Sequence, residues 1–183
     1  MKKTAVVFLA DGFEEIEATC AIDILRRVGV EVTVAGLKSQ PVKGSRGLAV
    51  VPDVSVDELT ASHDAYVLPG GGAGANHLSQ SVKVSQLIMD AFEAGKIIAA
   101  ICAAPAVVLS PLGVLEGKKA TCYPDMQSAF PSTTTYQEKP VVVDGNIITS
   151  RGPGTAIAFA LTIAEKLVGD DIRRKVAQAT LVD

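Results

Sequence analysis

Runs of apolar, mainly β-branched residues recur along the chain, and each of them predicts a β-strand. The predicted strands are Thr4–Leu9, Val30–Ala35, Ala65–Leu68, Ile97–Ile101, Lys119–Cys122 and Val141–Val143. Several of these runs are apolar at consecutive positions, without the polar alternate of a half-exposed strand. That pattern is typical of strands that are covered on both faces in a parallel sheet.

Segments with helical spacing lie between these strands. They are Glu14–Val28, Ser81–Ala94, Ala103–Leu109 and Pro153–Val168, and glycines that stop helices follow at Gly29, Gly95, Gly113 and Gly169. A chain in which strands and helices alternate throughout buries its apolar faces best as a three-layer, doubly wound α/β fold. We therefore predict one α/β domain over residues 1–183.

One antiparallel hairpin is predicted at the end of the otherwise parallel sheet. Val141–Val143 and Ile147–Thr149 flank Asp144-Gly145-Asn146, and Asp-Gly between two apolar runs is a strong hairpin signal.

Composition and charge exclude several classes of protein. Hydrophobic residues make up 48% of the 183 positions and charged residues 20%, which excludes a disordered chain. The formal net charge is -3 and no basic run exceeds a local pair, so nucleic acid is not an expected partner. The longest apolar stretches fall far short of the roughly 20 residues of a membrane helix. We expect a soluble protein that binds no membrane.

The three cysteines, Cys20, Cys102 and Cys122, are an odd number in a chain large enough to fold without disulfides. We infer a reducing, cytoplasmic compartment. There is no C-x-x-C pair, and His63 and His77 are the only imidazoles, so no metal site is predicted.

Cys102 is placed where a strand meets a helix. It directly follows Ile97–Ile101, and Pro105 suits the first turn of the helix behind it. Ala100 and Ala104 take the places that small residues hold in a G-x-S-x-G nucleophile elbow. We expect the helix N-terminus to lower the pKa of this thiol and make it reactive. The alternative, an inert buried cysteine, is the interpretation we give to Cys20 and Cys122.

Glu17 carries a carboxylate on the apolar face of the first predicted helix. Its neighbours at helical spacing are Phe13, Cys20, Ala21 and Ile24. A carboxyl group there is desolvated, so we expect a raised pKa and a role in proton transfer. Glu14 and Glu15 are sufficiently explained as first-turn residues that stabilise the helix dipole.

Glycines follow the strand Ala65–Leu68, in the run Pro69 to Ala75. Gly70-x-Gly72-x-x-Ala75 formally matches the dinucleotide-binding fingerprint, but the match is weak because Asp90 falls inside a helical pattern. A nucleotide-binding module is therefore the third candidate function. We prefer a cradle of backbone N–H groups for an oxyanion or carboxylate, and a plain turn remains the alternative.

Four motifs in this order resemble a known family. They are Glu17 after the first strand, Leu68-Pro69-Gly70-Gly71, the elbow from Ala99 to Pro105, and the terminal segment from Thr149 to Thr155. Over nearly the whole chain the sequence resembles the ThiJ/PfpI superfamily, in the branch of the parkinsonism-associated protein deglycase and bacterial YajL.

The resemblance implies a flavodoxin-like sandwich with one reactive cysteine. Cys102 would be the oxidation-prone nucleophile, and Glu17 a protonated partner that hydrogen-bonds to it. Gly70, Gly71 and Ala103 would supply backbone donors beside the sulfur.

Members of the superfamily are usually homodimers with the first helix at the interface. The resemblance implies that Arg27 and Arg46 approach the thiol region, and that Tyr123 and Pro153 line the site or reach it from the second subunit. Many relatives have His-Pro where this sequence has Tyr123-Pro124, so Tyr123 stands in the place of an imidazole. Related proteases carry His directly after the cysteine, and Ala103 in that place disfavours protease activity.

The activity implied is that of a cofactor-free glyoxalase or deglycase, which acts on reactive dicarbonyls such as methylglyoxal or on early glycation adducts. The alternative is a redox-sensing chaperone, a holdase regulated by oxidation of Cys102 to sulfinic acid. Every residue of the predicted cluster suits both functions.

Overall fold

The computed structural model describes residues 2–60 and 62–182. Its strands are β1 (Thr4–Leu9), β2 (Glu31–Gly36), β3 (Val42–Lys43), β4 (Ala49–Val50), β5 (Val54–Ser55), β6 (Ala65–Leu68), β7 (Ile97–Ile101), β8 (Lys119–Ala120), β9 (Thr135–Tyr136), β10 (Val141–Asp144) and β11 (Ile147–Ser150). Its α-helices are α1 (Glu15–Arg27), α2 (Gly72–Ser79), α3 (Val82–Glu93), α4 (Ala156–Val168) and α5 (Asp170–Ala179). Short 3-10 helices cover Val56–Glu58, Gln127–Ala129 and Pro153–Thr155.

Seven of these strands form one twisted sheet in the order β10-β11-β7-β6-β1-β2-β5. Every neighbouring pair is parallel except β10 and β11, which form the predicted antiparallel hairpin. The predicted α/β fold with a mostly parallel sheet and one hairpin is confirmed.

Helices cover both faces of the sheet. On one face, α1 and α4 pack together on a core that includes Val7, Leu25 and Phe159. On the other face, α2 and α3 close a second core around Phe8 and Ile88. Val7 and Phe8 serve opposite cores because successive side chains of a strand point to opposite faces, which explains why this strand is apolar at every position.

Two segments differ from their predicted structure. Only Lys119–Ala120 of the predicted strand is extended, and it pairs with β9 in a separate two-stranded sheet rather than in the main one. The predicted helix 103–109 is a single π-helical segment, Pro105–Leu109. α2 and α5 were not predicted, and the glycines of α2 explain its weak helical signal.

The sheet brings the candidate residues to one edge. β1, β6 and β7 are successive neighbours in the parallel part of the sheet, so their carboxyl ends meet on the same side. Glu17, Gly70 and Cys102 follow these three strands in turn. No helix in residues 2–60 and 62–182 is long and apolar enough to cross a membrane.

Candidate active site

Cys102 occupies a sharp turn whose backbone is held at both ends. Its φ of 64° lies in the left-handed region that residues with a side chain seldom adopt. Its N–H donates to Ser150 O at 2.9 Å, and its carbonyl oxygen accepts from Tyr123 N–H at 2.8 Å. Such a conformation persists only where the surroundings fix it, and it is common at functional sites. The predicted elbow therefore exists, and the Cys102 side chain is nearly buried, with 8% exposed.

Backbone N–H groups surround the sulfur. The N–H groups of Gly71 and Ala103 lie at the Cys102 sulfur and favour its thiolate form; the family resemblance implies donors at these two positions. Gly71 has a φ of 87°, and a Cβ atom there would lie 2.2 Å from the carbonyl oxygen of Gly12. Because that neighbour is rigid backbone, only glycine can occupy the position that delivers this N–H group.

Glu17 lies beside the cysteine with its side chain completely buried. Its Oε2 accepts a 2.7 Å hydrogen bond from Gly70 N–H. Gly70 thus serves the carboxyl group, which corrects the expectation that it donates to the sulfur. A Cβ atom on Gly70 would lie 2.6 Å from Cys102 Cβ and 2.8 Å from Glu17 Oε2, so the absent side chain is what allows the acid and the thiol to meet.

Burial raises the pKa of the Glu17 carboxyl group from 4.5 to about 7. The charge of Glu14 also raises it, while the hydrogen bonds from Gly70 and Cys102 lower it. The second oxygen, Oε1, is buried and accepts no hydrogen bond of regular geometry from the residues described. Near neutral pH the carboxyl group is therefore poised to give or take a proton, as the sequence predicts.

The thiol of Cys102 has the opposite shift from the predicted one. Burial and the neighbouring charge of Glu17 raise its pKa to about 12, and the N–H groups of Gly71 and Ala103 offset this only in part. The helix start was expected to lower the pKa, but desolvation is larger in so enclosed a site. At neutral pH the thiol is therefore protonated and Glu17 is the group that ionises. The sulfur becomes a nucleophile by passing its proton to the ionised Glu17.

Thiolate content does not by itself distinguish Cys102 from the other cysteines. Burial raises the pKa of Cys122 to about 11, although Arg151 lowers it. Burial and the charges of Asp23 and Glu14 raise the pKa of Cys20. What Cys102 has in addition is a base in contact with it and two backbone donors at the sulfur.

Glu14 is a site residue that the sequence interpretation missed. Its Oε2 accepts from Glu17 N–H at 2.8 Å, which caps α1, and its own N–H donates to Gly70 O at 3.0 Å. The signal available in the sequence was its place three residues before Glu17, the usual distance between a cap and the N–H that it receives.

Comparison with known proteins identifies the family. Residues 3–166 match the profile of the DJ-1/PfpI family. The chain belongs to the DJ-1/PfpI family. It is 47% identical over 185 residues to protein dj-1beta of Drosophila melanogaster, which covers 100% of this chain and 98% of that protein. It is 41% identical to the Parkinson disease protein 7 homolog of Danio rerio, and the match covers 95% of this chain and 94% of that protein. These relatives assign it to the DJ-1 branch of the family.

A relative with an enzyme's name is somewhat more distant. The glutathione-independent glyoxalase DJR-1.2 of Caenorhabditis elegans is 35% identical, and the match covers 93% of this chain and 91% of that protein.

Solved DJ-1/PfpI structures superpose closely on the chain. The crystal structure of Drosophila melanogaster DJ-1beta gives a TM-score of 0.96 at 47% identity, with both chains fully covered. The structure of oxidized Toxoplasma gondii DJ-1 gives a TM-score of 0.92 at 38% identity and covers 98% of each chain.

In this DJ-1/PfpI chain Tyr123 lies at the rim of the site. Its backbone N–H is bonded to the Cys102 carbonyl oxygen, and its side chain is 48% exposed. A Cβ atom on Gly152 would lie 3.4 Å from the Tyr123 ring, so the chain just before Pro153 passes beside this residue. That Tyr123 and Pro153 line the site stays a prediction.

Arg27 and Arg46 are not brought to Cys102 within one chain. Arg27 lies ten residues beyond Glu17 on α1, and so roughly 15 Å further along the helix. Its side chain forms a 2.6 Å ion pair with Asp23. Arg46 is exposed in the loop before β4, where its backbone N–H donates to the Glu15 carboxylate. Within the described ranges, no group of three or more His, Cys, Asp or Glu side chains is placed to hold a metal ion.

Proposed function

We propose that the protein is a cysteine-dependent glyoxalase or deglycase-type enzyme of the cytoplasm. It needs no cofactor and acts on reactive dicarbonyls such as methylglyoxal or on early glycation adducts. The observation that carries the proposal is the buried Glu17 carboxyl group in contact with the Cys102 thiol, with the N–H groups of Gly71 and Ala103 at the sulfur. The glyoxalase name of the Caenorhabditis elegans relative supports it.

The first step is addition of the thiol to the aldehyde carbon of methylglyoxal. The ionised Glu17 takes the thiol proton while the sulfur forms its bond to carbon, and the carbonyl π electrons move to oxygen. The N–H groups of Gly71 and Ala103 stabilise the oxyanion. The oxygen then takes the proton from Glu17, which yields a hemithioacetal and restores the carboxylate.

The second step is an internal redox reaction. Glu17 removes the proton from C1 to give an enediolate, the hydroxyl proton on the C1 oxygen passes to the C2 oxygen, and Glu17 returns its proton to C2. The aldehyde carbon is thereby oxidised to a thioester carbonyl while the ketone carbon is reduced to an alcohol. No external electron acceptor is required because the two changes balance. Water then hydrolyses the lactoyl thioester on Cys102, and the products are lactate and the free thiol.

Cys102→Ser tests this proposal directly. We expect lactate formation from methylglyoxal to fall to the uncatalysed rate in Cys102→Ser. The matched control, Cys20→Ser, should keep wild-type turnover because Cys20 lies outside the cluster. Steady-state lactate measured with glutathione-free protein decides the matter, and equal turnover by wild type and Cys102→Ser contradicts the mechanism.

A redox-sensing holdase is the second candidate, favoured by the same cluster. A protonated Glu17 and two N–H groups can hydrogen-bond the oxygens of a sulfinate on Cys102. The related Toxoplasma gondii DJ-1 has been solved as an oxidized protein. The holdase function is supported instead if wild type forms no lactate but limiting peroxide converts Cys102 to sulfinate before Cys20 or Cys122 react.

We also propose that the protein is a homodimer joined through α1. Ile16 on α1 and Leu48 in the loop bound by Glu15 are large apolar side chains that are 52% and 47% exposed. Exposed apolar residues grouped around one helix are typical of an interface.

Light scattering at micromolar concentration is expected to give twice the chain mass. Ile16→Glu should reduce it to one chain mass, since it places a charge in the buried interface. Val82→Glu is the matched control, because Val82 is 84% exposed on α3 at the opposite face of the sheet. A monomeric wild type is the result that rules out the dimer.

A further inference from the structure

Glu14 lies outside the reacting pair but makes two hydrogen bonds that connect it to Glu17, one directly and one through Gly70. Its carboxylate accepts from Glu17 N–H at 2.8 Å. Its backbone N–H donates to Gly70 O at 3.0 Å, and the N–H of the same Gly70 donates to Glu17 Oε2 at 2.7 Å. These bonds form a closed ring through Glu14, Gly70 and Glu17.

The ring fixes both ends of the Glu17 residue. The cap holds its backbone at the start of α1, and Gly70 holds its carboxyl group. Gly70 also packs against Cys102 so closely that an added Cβ would lie 2.6 Å from Cys102 Cβ. A change in Glu14 is therefore transmitted to the relative position of acid and thiol through one shared glycine.

The charge of Glu14 acts on the same pair. It disfavours ionisation of Glu17, while the Cys102 thiol is the other titratable group that acts on this carboxyl. Two other elements pack against the Glu17 carboxyl group: the β6–α2 turn, which contributes the uncharged Gly70, and the elbow after β7, which contributes Cys102. Among the described residues, no cation forms an ion pair with Glu14 or Glu17, so the repulsion between the two glutamates is not neutralised locally.

We propose that Glu14 is a positioning residue that holds Glu17 against Cys102 and favours the protonated form of the Glu17 carboxyl group. The inference rests on the proposed role of Glu17 as the proton acceptor of Cys102. Glu14 is not expected to touch the substrate. It sets where the proton resides before the substrate arrives.

Three substitutions separate the charge of Glu14 from its cap. Glu14→Asp keeps both, since Asp is a favourable N-cap, and is the conservative rescue. Glu14→Gln keeps an oxygen that can cap Glu17 N–H but removes the charge. Glu14→Ala removes both. Glu93→Gln is a control with the same change of charge, exposed at the end of α3 and near the amino ends of the strands.

The readout is the pH dependence of iodoacetamide alkylation at Cys102, resolved from Cys20 and Cys122 by peptide mass spectrometry. In wild type the rate is expected to rise as Glu17 ionises, with a midpoint at about pH 7. In Glu14→Gln the midpoint should move to lower pH by on the order of half a unit, because a like charge has been removed. Glu14→Asp and Glu93→Gln should keep the wild-type midpoint.

This experiment requires no dicarbonyl turnover, so its failure is distinct from failure of the proposed activity. A midpoint in Glu14→Gln equal to that of wild type overturns the role of the charge. Equal midpoints and equal alkylation rates in wild type and Glu14→Ala overturn the positioning role altogether. A shift in Glu93→Gln equal to that in Glu14→Gln would overturn the proposal as well, because the effect would then come from net charge alone.

Discussion

Glu17→Gln is expected to lower methylglyoxal turnover by about 10²- to 10⁴-fold, the usual contribution of a positioned acid–base group. The amide matches the carboxyl group in size and can still accept from Gly70 N–H, so the fold should survive. What is lost is the group that takes the thiol proton and moves the proton from C1 to C2. Lactate formation by the folded variant, with circular dichroism matched to wild type, measures the effect.

The same variant is expected to change the oxidation of Cys102. Without the carboxylic acid beside the sulfur, the extent of oxidation past sulfinate should differ from wild type. A folded Glu17→Gln protein with wild-type turnover and an unchanged oxidation profile would make Glu17 an ordinary first-turn residue and remove the basis of the mechanism.

Glu17→Gln is also expected to stabilise the protein, by an amount that grows as the pH rises above about 4.5 and levels off above about 7. Because the pKa of Glu17 is raised from 4.5 to about 7, the native state holds this proton more tightly than the unfolded state does. Stability from this group is thus complete below about pH 4.5 and is lost as the pH rises to about 7 and beyond. The loss amounts to about 3 kcal/mol once both states are ionised, and the neutral amide does not suffer it.

Urea unfolding of wild type and Glu17→Gln across this pH range measures the difference. The variant should exceed wild type by up to about 3 kcal/mol at about pH 9, and the difference should disappear near about pH 4. Glu93→Gln should show no such pH-dependent gain, because its carboxyl group is exposed. A gain that is the same at all pH values would show that packing, rather than the ionised carboxylate, is responsible. Functional sites commonly contain groups that lower the stability of the folded protein.

The sequence predicts the central sheet well, for a physical reason. Ala65–Leu68 and Ile97–Ile101 have the predicted bounds because strands buried on both faces must be apolar throughout. Glu17 could also be located, since a carboxylate on an apolar helical face is conspicuous. Its partner Cys102 was recognisable from the strand-to-helix position alone.

The parts that were missed depend on three-dimensional surroundings. α2 was not predicted because its glycines lower the intrinsic helix propensity, and it is held in place by packing of Leu78 and Ala75. The raised pKa of Cys102 depends on the enclosure of the elbow, which no local pattern reports. The bond from Gly70 to Glu17, rather than to the sulfur, depends on how closely β6 and α1 approach each other.

The ionisation of Glu17 itself is the most direct test of the mechanism, because every proposed step depends on that proton. Carboxyl-carbon NMR of isotopically labelled protein can follow it, and the Glu17 signal is assigned by its absence in Glu17→Gln. We predict a midpoint at about pH 7 in wild type, and a higher midpoint in Cys102→Ala, which lacks the thiol hydrogen bond that lowers it. A Glu17 signal that titrates near the ordinary value of 4.5, and does so equally with and without the thiol, would contradict the mechanism.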